Sequence, residues 1–155
     1  MKNRMPIKIL FVCHGNICRS PMAEFLFKDM VSKRGLSECF HIESAATTTD
    51  EIGNSPHSGT VKILKREGIS CKGKTARQIT PKDYNYFDVI IGMDSANMRS
   101  MERIFGKDTQ NKLHKMMEFA GNNRDVADPW YTGNFEETYS DIADGCVGLL
   151  SWLGY

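Results

Sequence analysis

The chain has 155 residues, 41% of them hydrophobic and 25% charged, with a formal net charge of +1. That length closes one proper core, the balance is that of a globular chain, and the interspersed charges leave no basic face for nucleic acid. No apolar run reaches membrane-spanning length, and residues 7–12 are too short for the apolar region of a signal peptide.

The five cysteines, at 13, 18, 39, 71 and 146, form no Cys-x-x-Cys pair and no zinc-like spacing with histidine. An odd set of this kind reads as reduced thiols in a cytoplasm. A nucleophilic thiol needs such a compartment.

Residues 7–12 are short, uninterruptedly apolar and rich in β-branched side chains, which predicts a buried strand. Gly15 and Asn16 follow, the residue types that enter left-handed backbone at least cost. Ser20 then caps a helix with Pro21 at its first position, carrying Met22, Phe25, Leu26, Phe27 and Met30 inward and ending near Gly35. Residues 39–43 predict a second strand, leading into a Thr- and Asp-rich loop over 47–56. A helix over 57–67 turns Val61 and Leu64 inward and stops at Gly68, and 69–79 reads as irregular and Lys-rich. Thr80-Pro81 marks another helix start. Residues 87–93 are the second clear buried strand, and Asp94-Ser95 caps a helix to about Phe105, with Met98 and Met101 on one face. Residues 113–119 give a weaker strand and 122–133 a polar loop. Phe135, Tyr139, Ile142, Ala143, Cys146, Leu149, Leu150 and Leu153 share one face of a long C-terminal helix.

Strands alternating with helices predict an α/β fold, a parallel sheet covered on both faces. No repeat or linker divides the chain, so residues 1–155 read as a single domain. Ligands of such sheets bind beyond the carboxyl ends of the strands, which puts Cys13, Asp94 and the loop after the last strand on one rim.

A strand that ends in a turn and enters a helix presents several backbone N–H groups to one point, which is an anion cradle. Cys13 and Arg19 stand at its two ends. The thiolate is the reactive form of cysteine, and a helix N-terminus and a nearby cation both stabilise it. The planar fork of Arg19 can grip two oxygens of a phosphoryl group, and the N–H groups of His14, Gly15, Asn16, Ile17 and Cys18 can bind the rest. The loop therefore fits in-line attack by sulfur on phosphorus. A departing alkoxide or phenolate needs a proton, and Asp128, fixed by Pro129 and followed by Trp130 and Tyr131, supplies both an acid and an aromatic wall. Cys71 and Arg77 repeat the Cys-x5-Arg spacing, but Lys72, Gly73 and Lys74 follow that cysteine and no apolar strand precedes it. Spacing alone is weak; the setting of Cys13 is specific. No GxxxxGK[ST] nucleotide loop occurs.

Cys13-x4-Cys18-Arg19-Ser20-Pro21 with Ala23-Glu24, Ala76-Arg77-Gln78-Ile79, Met93-Asp94 and Asp128-Pro129-Trp130-Tyr131 resemble, nearly end to end, the low-molecular-weight protein tyrosine phosphatases. The resemblance implies a three-layer αβα fold with a four-stranded parallel sheet of order 2-1-3-4. It implies a phosphocysteine on Cys13, with Arg19 binding phosphate and Asp128 as acid and then base. Ser20 would donate to the Cys13 thiolate, and a left-handed Asn16, supported by Ser44, would hold the loop. No metal or cofactor is implied. The substrate implied is a phosphotyrosine protein or small aryl phosphate, handled by a monomer or weak homodimer. Cys18 either packs behind the loop or forms a protective disulfide with Cys13, and family members with this second cysteine favour the latter. His14 is expected at the pocket mouth, His41, His57 and His114 in structural or exposed places, and Tyr84 and Tyr86 as surface aromatics.

The chain departs from the family in Glu43-Ser44-Ala45-Ala46, in Asp50 where a rim aromatic is common, and in lacking a histidine over 71–75 to support Asn16. Rival readings are a protein-arginine phosphatase, an arsenate reductase and a non-catalytic phosphotyrosine-binding module. The first carries threonine at the position of Ile17. The second needs two further cysteines, and 87–106 holds none. The third would lack one of Cys13, Arg19 and Asp128.

Overall fold

The first apolar run is β1, Ile7–Cys13, in a computed structural model that describes residues 5–155. Ile9, Leu10, Phe11 and Val12 are fully buried, as an unbroken apolar strand covered on both faces should be. β1 pairs in parallel with β2 (Phe40–Ala46) on one side and β3 (Val89–Gly92) on the other, and β3 carries β4 (Leu113–Lys115) at the edge. The order β2-β1-β3-β4 is the 2-1-3-4 sheet implied by the resemblance.

Alternate side chains of β1 serve opposite layers. Ile9, Phe11 and Cys13 face α1 (Arg19–Lys33), α2 (Ser58–Arg66) and α6 (Phe135–Trp152), meeting Met22, Phe27, Leu64, Ile142 and Leu149. Leu10 and Val12 face α3 (Pro81–Tyr86) and α4 (Ser95–Phe105), meeting Tyr84, Phe87 and Met101. At about 1.5–3 kcal/mol for each large apolar side chain buried, these two cores hold the β1 terminus firmly in place. The C-terminal helix face is as expected: Ile142, Cys146, Leu149 and Leu150 are buried, with Phe135, Tyr139, Ala143 and Leu153 packed at its margin.

Five expectations are corrected. Ser20 does not cap α1; the helix starts at Arg19 behind Cys18, without a side-chain cap, because the Ser20 hydroxyl is engaged by the loop. β2 runs on to Ala46, since Ser44 and Ala46 pair with Phe11 and Cys13. Val61 faces solvent, whereas Thr60, Ile63 and Leu64 are the buried side of α2. Only Leu113–Lys115 of the fourth strand pairs, and Met116–Ala120 coils into a 3-10 turn beneath α6. There a Cβ on Gly148 would stand 1.8 Å from the Phe119 carbonyl oxygen, so glycine is what lets helix and turn touch. Tyr84 is also interior, its hydroxyl donating to Asp108 at 2.6 Å, and only Tyr86 remains exposed.

Candidate active site

Between β1 and α1 the chain folds into a loop whose carbonyls are turned outward. The carbonyl of Cys13 accepts from Thr47 N–H at 2.9 Å, that of His14 from Thr48 N–H at 3.2 Å and that of Ile17 from His57 N–H at 2.8 Å. The carbonyl of Cys18 accepts from Thr60 Oγ1 at 3.0 Å. Among the described residues, no N–H from His14 to Cys18 donates to another backbone group. Outward carbonyls and free N–H groups make the cradle electropositive.

Asn16 makes this turn possible. It sits at φ 60°, a conformation that asparagine tolerates better than most residues, and its side chain is fully buried. Its Oδ1 accepts from Arg77 N–H at 3.3 Å, which fixes the amide orientation. Its Nδ2 then donates to Ser20 Oγ at 2.8 Å and to Ser44 Oγ at 3.0 Å. Ser20 Oγ lies 3.0 Å from Cys13 Sγ, and Ser20 N–H lies 3.4 Å from the same sulfur. The side chains of Asn16 and Ser20 thus stand behind the loop, while Cys13, His14, Gly15, Ile17, Cys18, Arg19, Asp128, Trp130 and Tyr131 line one cavity together with Asp50 and Glu51.

Arg19 is almost wholly buried at the base of this cavity. Its Nη1 donates to Asp94 Oδ2 and to the Val126 carbonyl, both at 2.8 Å, and its Nη2 donates to Asp128 Oδ2 at 3.3 Å. Its Nε–H is buried and has no partner. A buried orphan donor is costly, and an anion seated in the cradle would satisfy it. Burial pushes the guanidinium pKa down, but Cys13, Asp128 and Asp94 outweigh it and hold the group above its ordinary value. Asp94 also caps α4, accepting from Asn97 N–H at 2.7 Å through its other oxygen. Asp128 caps α5 (Pro129–Thr132) through Trp130 N–H at 3.1 Å. Its second oxygen faces Arg19 across the cavity.

The two thiols of the loop differ. Burial, then Cys13 and Asp128, raise the Cys18 pKa from 9.0 to about 12. At neutral pH Cys18 is therefore a thiol, and no rival nucleophile. Both cysteines are free in this structure.

The model of a family described as low molecular weight phosphotyrosine protein phosphatase matches residues 8–154. The low molecular weight protein-tyrosine-phosphatase YfkJ of Bacillus subtilis is 45% identical over 147 residues, covering 94% of each chain. The chain belongs to the low-molecular-weight phosphotyrosine protein phosphatase family. The crystal structure of YfkJ superposes with a TM-score of 0.94 at 43% identity, covering 98% of this phosphatase and 97% of that chain. A drosophila arginine phosphatase superposes with a TM-score of 0.87 at 29% identity, covering 96% and 99% respectively.

Behind the cradle the phosphatase carries a charged buttress that sequence reading missed. Buried Glu24 accepts from Ser44 Oγ at 2.5 Å and from Lys28 Nζ at 2.6 Å. Lys74 reaches the same carboxylate at 3.1 Å and donates to the Ser44 carbonyl at 2.8 Å. Where a histidine near 71–75 would support Asn16 directly, Lys74 acts one step back, on Glu24 and Ser44. A carboxylate only accepts, so Ser44 must donate to Glu24 and accept from Asn16. Ser20 Oγ accepts from Asn16, which leaves its own proton for Cys13 Sγ at 3.0 Å or the Ala45 carbonyl at 3.5 Å. Glu24 and Ser44 are legible in the sequence pattern, whereas Lys74 lies hidden in a segment that reads as irregular and Lys-rich. His57 is a second support: its Nδ1 accepts from Gly59 N–H at 2.9 Å, and its ring stacks on Phe135 and meets Trp130 edge-on.

Proposed function

We propose that the phosphatase hydrolyses phosphotyrosine monoesters, on a protein or a small aryl phosphate, through a phosphocysteine on Cys13. The observation that carries this reading is the unpartnered, buried Nε–H of Arg19 beside an inward-facing thiol, with Asp128 opposite. Phosphate oxygens take the N–H groups of residues 14–18 and the Arg19 fork. Cys13 Sγ attacks phosphorus as the bond to the phenolic oxygen breaks, and protonated Asp128 gives that oxygen its proton. Water then attacks the phosphocysteine, Asp128 takes up its proton, and sulfur leaves as a thiolate that receives the Ser20 hydrogen bond. Every role is filled by the chain itself, in the reducing cytoplasm that a free nucleophilic thiol requires.

The likeness to an arginine phosphatase makes phosphoarginine the second reading. Ile17 lines the cavity here, and its apolar side chain offers a guanidinium no acceptor while packing well on a phenyl ring. Hydrolysis of phosphotyrosine and phosphoarginine peptides, measured in parallel without added metal, separates the two. Fast release from phosphotyrosine, abolished in Cys13→Ser, is expected; faster release from phosphoarginine would overturn the substrate assignment and leave the nucleophile standing. Asp128→Ala should lower kcat by about 10²–10⁴-fold for esters with poor leaving groups, the range typical of a lost general acid, and far less for good ones. An equal loss for both would remove Asp128 from the acid role.

A further inference from the structure

The mouth of the cavity attracts positive charge from both sides. On one wall stand Asp50 and Glu51. Asp50 is 61% exposed in its side chain and shares a 2.8 Å contact with His14 Nε2. Glu51 is held against the loop: its Cγ would lie 3.2 Å from a Cβ on Gly15, and Asn54 Nδ2 donates to its Oε1 at 2.8 Å. On the other wall Trp130 is 58% exposed and Tyr131 84%. Their ring faces carry the negative side of the aromatic quadrupole. Among the described residues lining this cavity the only permanent cation is Arg19, and it is buried at the base with Asp94 and Asp128 on it. Neutral His14 leaves Asp50 uncompensated, and protonated His14 still leaves Glu51. In either state the rim is net acidic.

A phosphotyrosine ring entering between these walls places its neighbouring residues over them. We infer that the mouth selects phosphotyrosine flanked by lysine or arginine, the cation settling between the Asp50 and Glu51 carboxylates and the Trp130 and Tyr131 rings. This rests on the phosphotyrosine reading above. The groups are exposed, so each contact is weak; a rim ion pair with one cation–π contact amounts to about three- to tenfold in kcat/KM. A flanking glutamate is disfavoured by the same field.

The test uses two phosphotyrosine peptides that differ only in lysine or glutamate on both sides of the phosphotyrosine, with a phosphoarginine peptide alongside. Wild type should favour the lysine peptide by about three- to tenfold at low salt, and the ratio should fall toward one with added salt. In the double variant Asp50→Asn, Glu51→Gln the ratio should also approach one. A wild-type ratio near one or below, or a ratio that survives the double substitution, would overturn the inference while leaving phosphotyrosine hydrolysis intact. Hydrolysis of the phosphoarginine peptide alone would instead bring down the substrate reading, and this inference with it.

Discussion

Cys13 Sγ lies 3.0 Å from the Ser20 hydroxyl, and the placement of that hydroxyl is set at a distance. Lys28 and Lys74 both pair with buried Glu24, Glu24 orients Ser44, Ser44 and Arg77 orient Asn16, and Asn16 orients Ser20. Lys74→Met would leave Glu24 with Lys28 alone and the Ser44 carbonyl short of a donor. The expected result is a loss of about 1–3 kcal/mol of stability, seen in urea unfolding, together with a lower kcat. Lys74→Arg should recover both, and full activity in the methionine variant would show that Lys74 positions nothing. Cys18 offers a pH test of the same loop. Its pKa is 9.0 in the ordinary state and about 12 in the fold, so the folded chain holds a proton that the unfolded chain gives up. Its contribution is complete below pH 9 and is lost as pH rises toward 12. Cys71 and Cys146 are raised by burial in the same direction. Urea midpoints between pH 8 and 10.5 should therefore fall more steeply in wild type than in Cys18→Ala.

The secondary-structure elements were read best where the signal lay within one element. The β1 run, the Thr80-Pro81 and Asp94 caps and the C-terminal helix face all stand as expected. Asp83 accepts from Thr80 N–H at 2.8 Å, the acidic half of a capping box, which needs only four adjacent residues. The edge was harder. β4 and the 3-10 turn after it share one stretch of mixed polarity, 113–120, and period alone does not separate pairing residues from those that coil under a helix. Contact with α6 decides the matter: Met116 and Met117 are buried there, and Gly145 and Gly148 admit the turn. Gly148→Ala would drive a methyl into backbone rather than into a movable side chain. It should cost about 3 kcal/mol, the upper end for overpacking, read as a lower urea midpoint with an unchanged m-value. A neutral outcome would mean that α6 can slide on the turn.

At the scale of the whole molecule, the parallel sheet brings distant segments to one rim. Cys13 ends β1, Ser44 lies near the end of β2, Asp94 follows β3, and Val126 and Asp128 lie beyond β4. Arg19 ties three of these together. An anion in the cradle should therefore stabilise the entire fold. Inorganic phosphate at a hundred times its Kd should add about 2.7 kcal/mol, measured as a rise in Tm, and Arg19→Lys, which lacks the planar fork, should show a much smaller rise at equal concentration. An equal rise would place the anion elsewhere.

The sequence by itself determined the strand, loop and helix around Cys13 and the αβα alternation, because each rests on residues close together in the chain. The 2-1-3-4 strand order was legible only through resemblance to the family. What the tertiary structure alone decided are contacts between segments far apart: Lys74 on Glu24, the orphaned Nε of Arg19, the acidic rim facing the aromatic wall, and the inward turn of Tyr84. The reason is physical. A strand or a cap is stabilised by its own neighbours, whereas the partner of a buried charge is chosen by whichever distant segment the packed layers deliver to it.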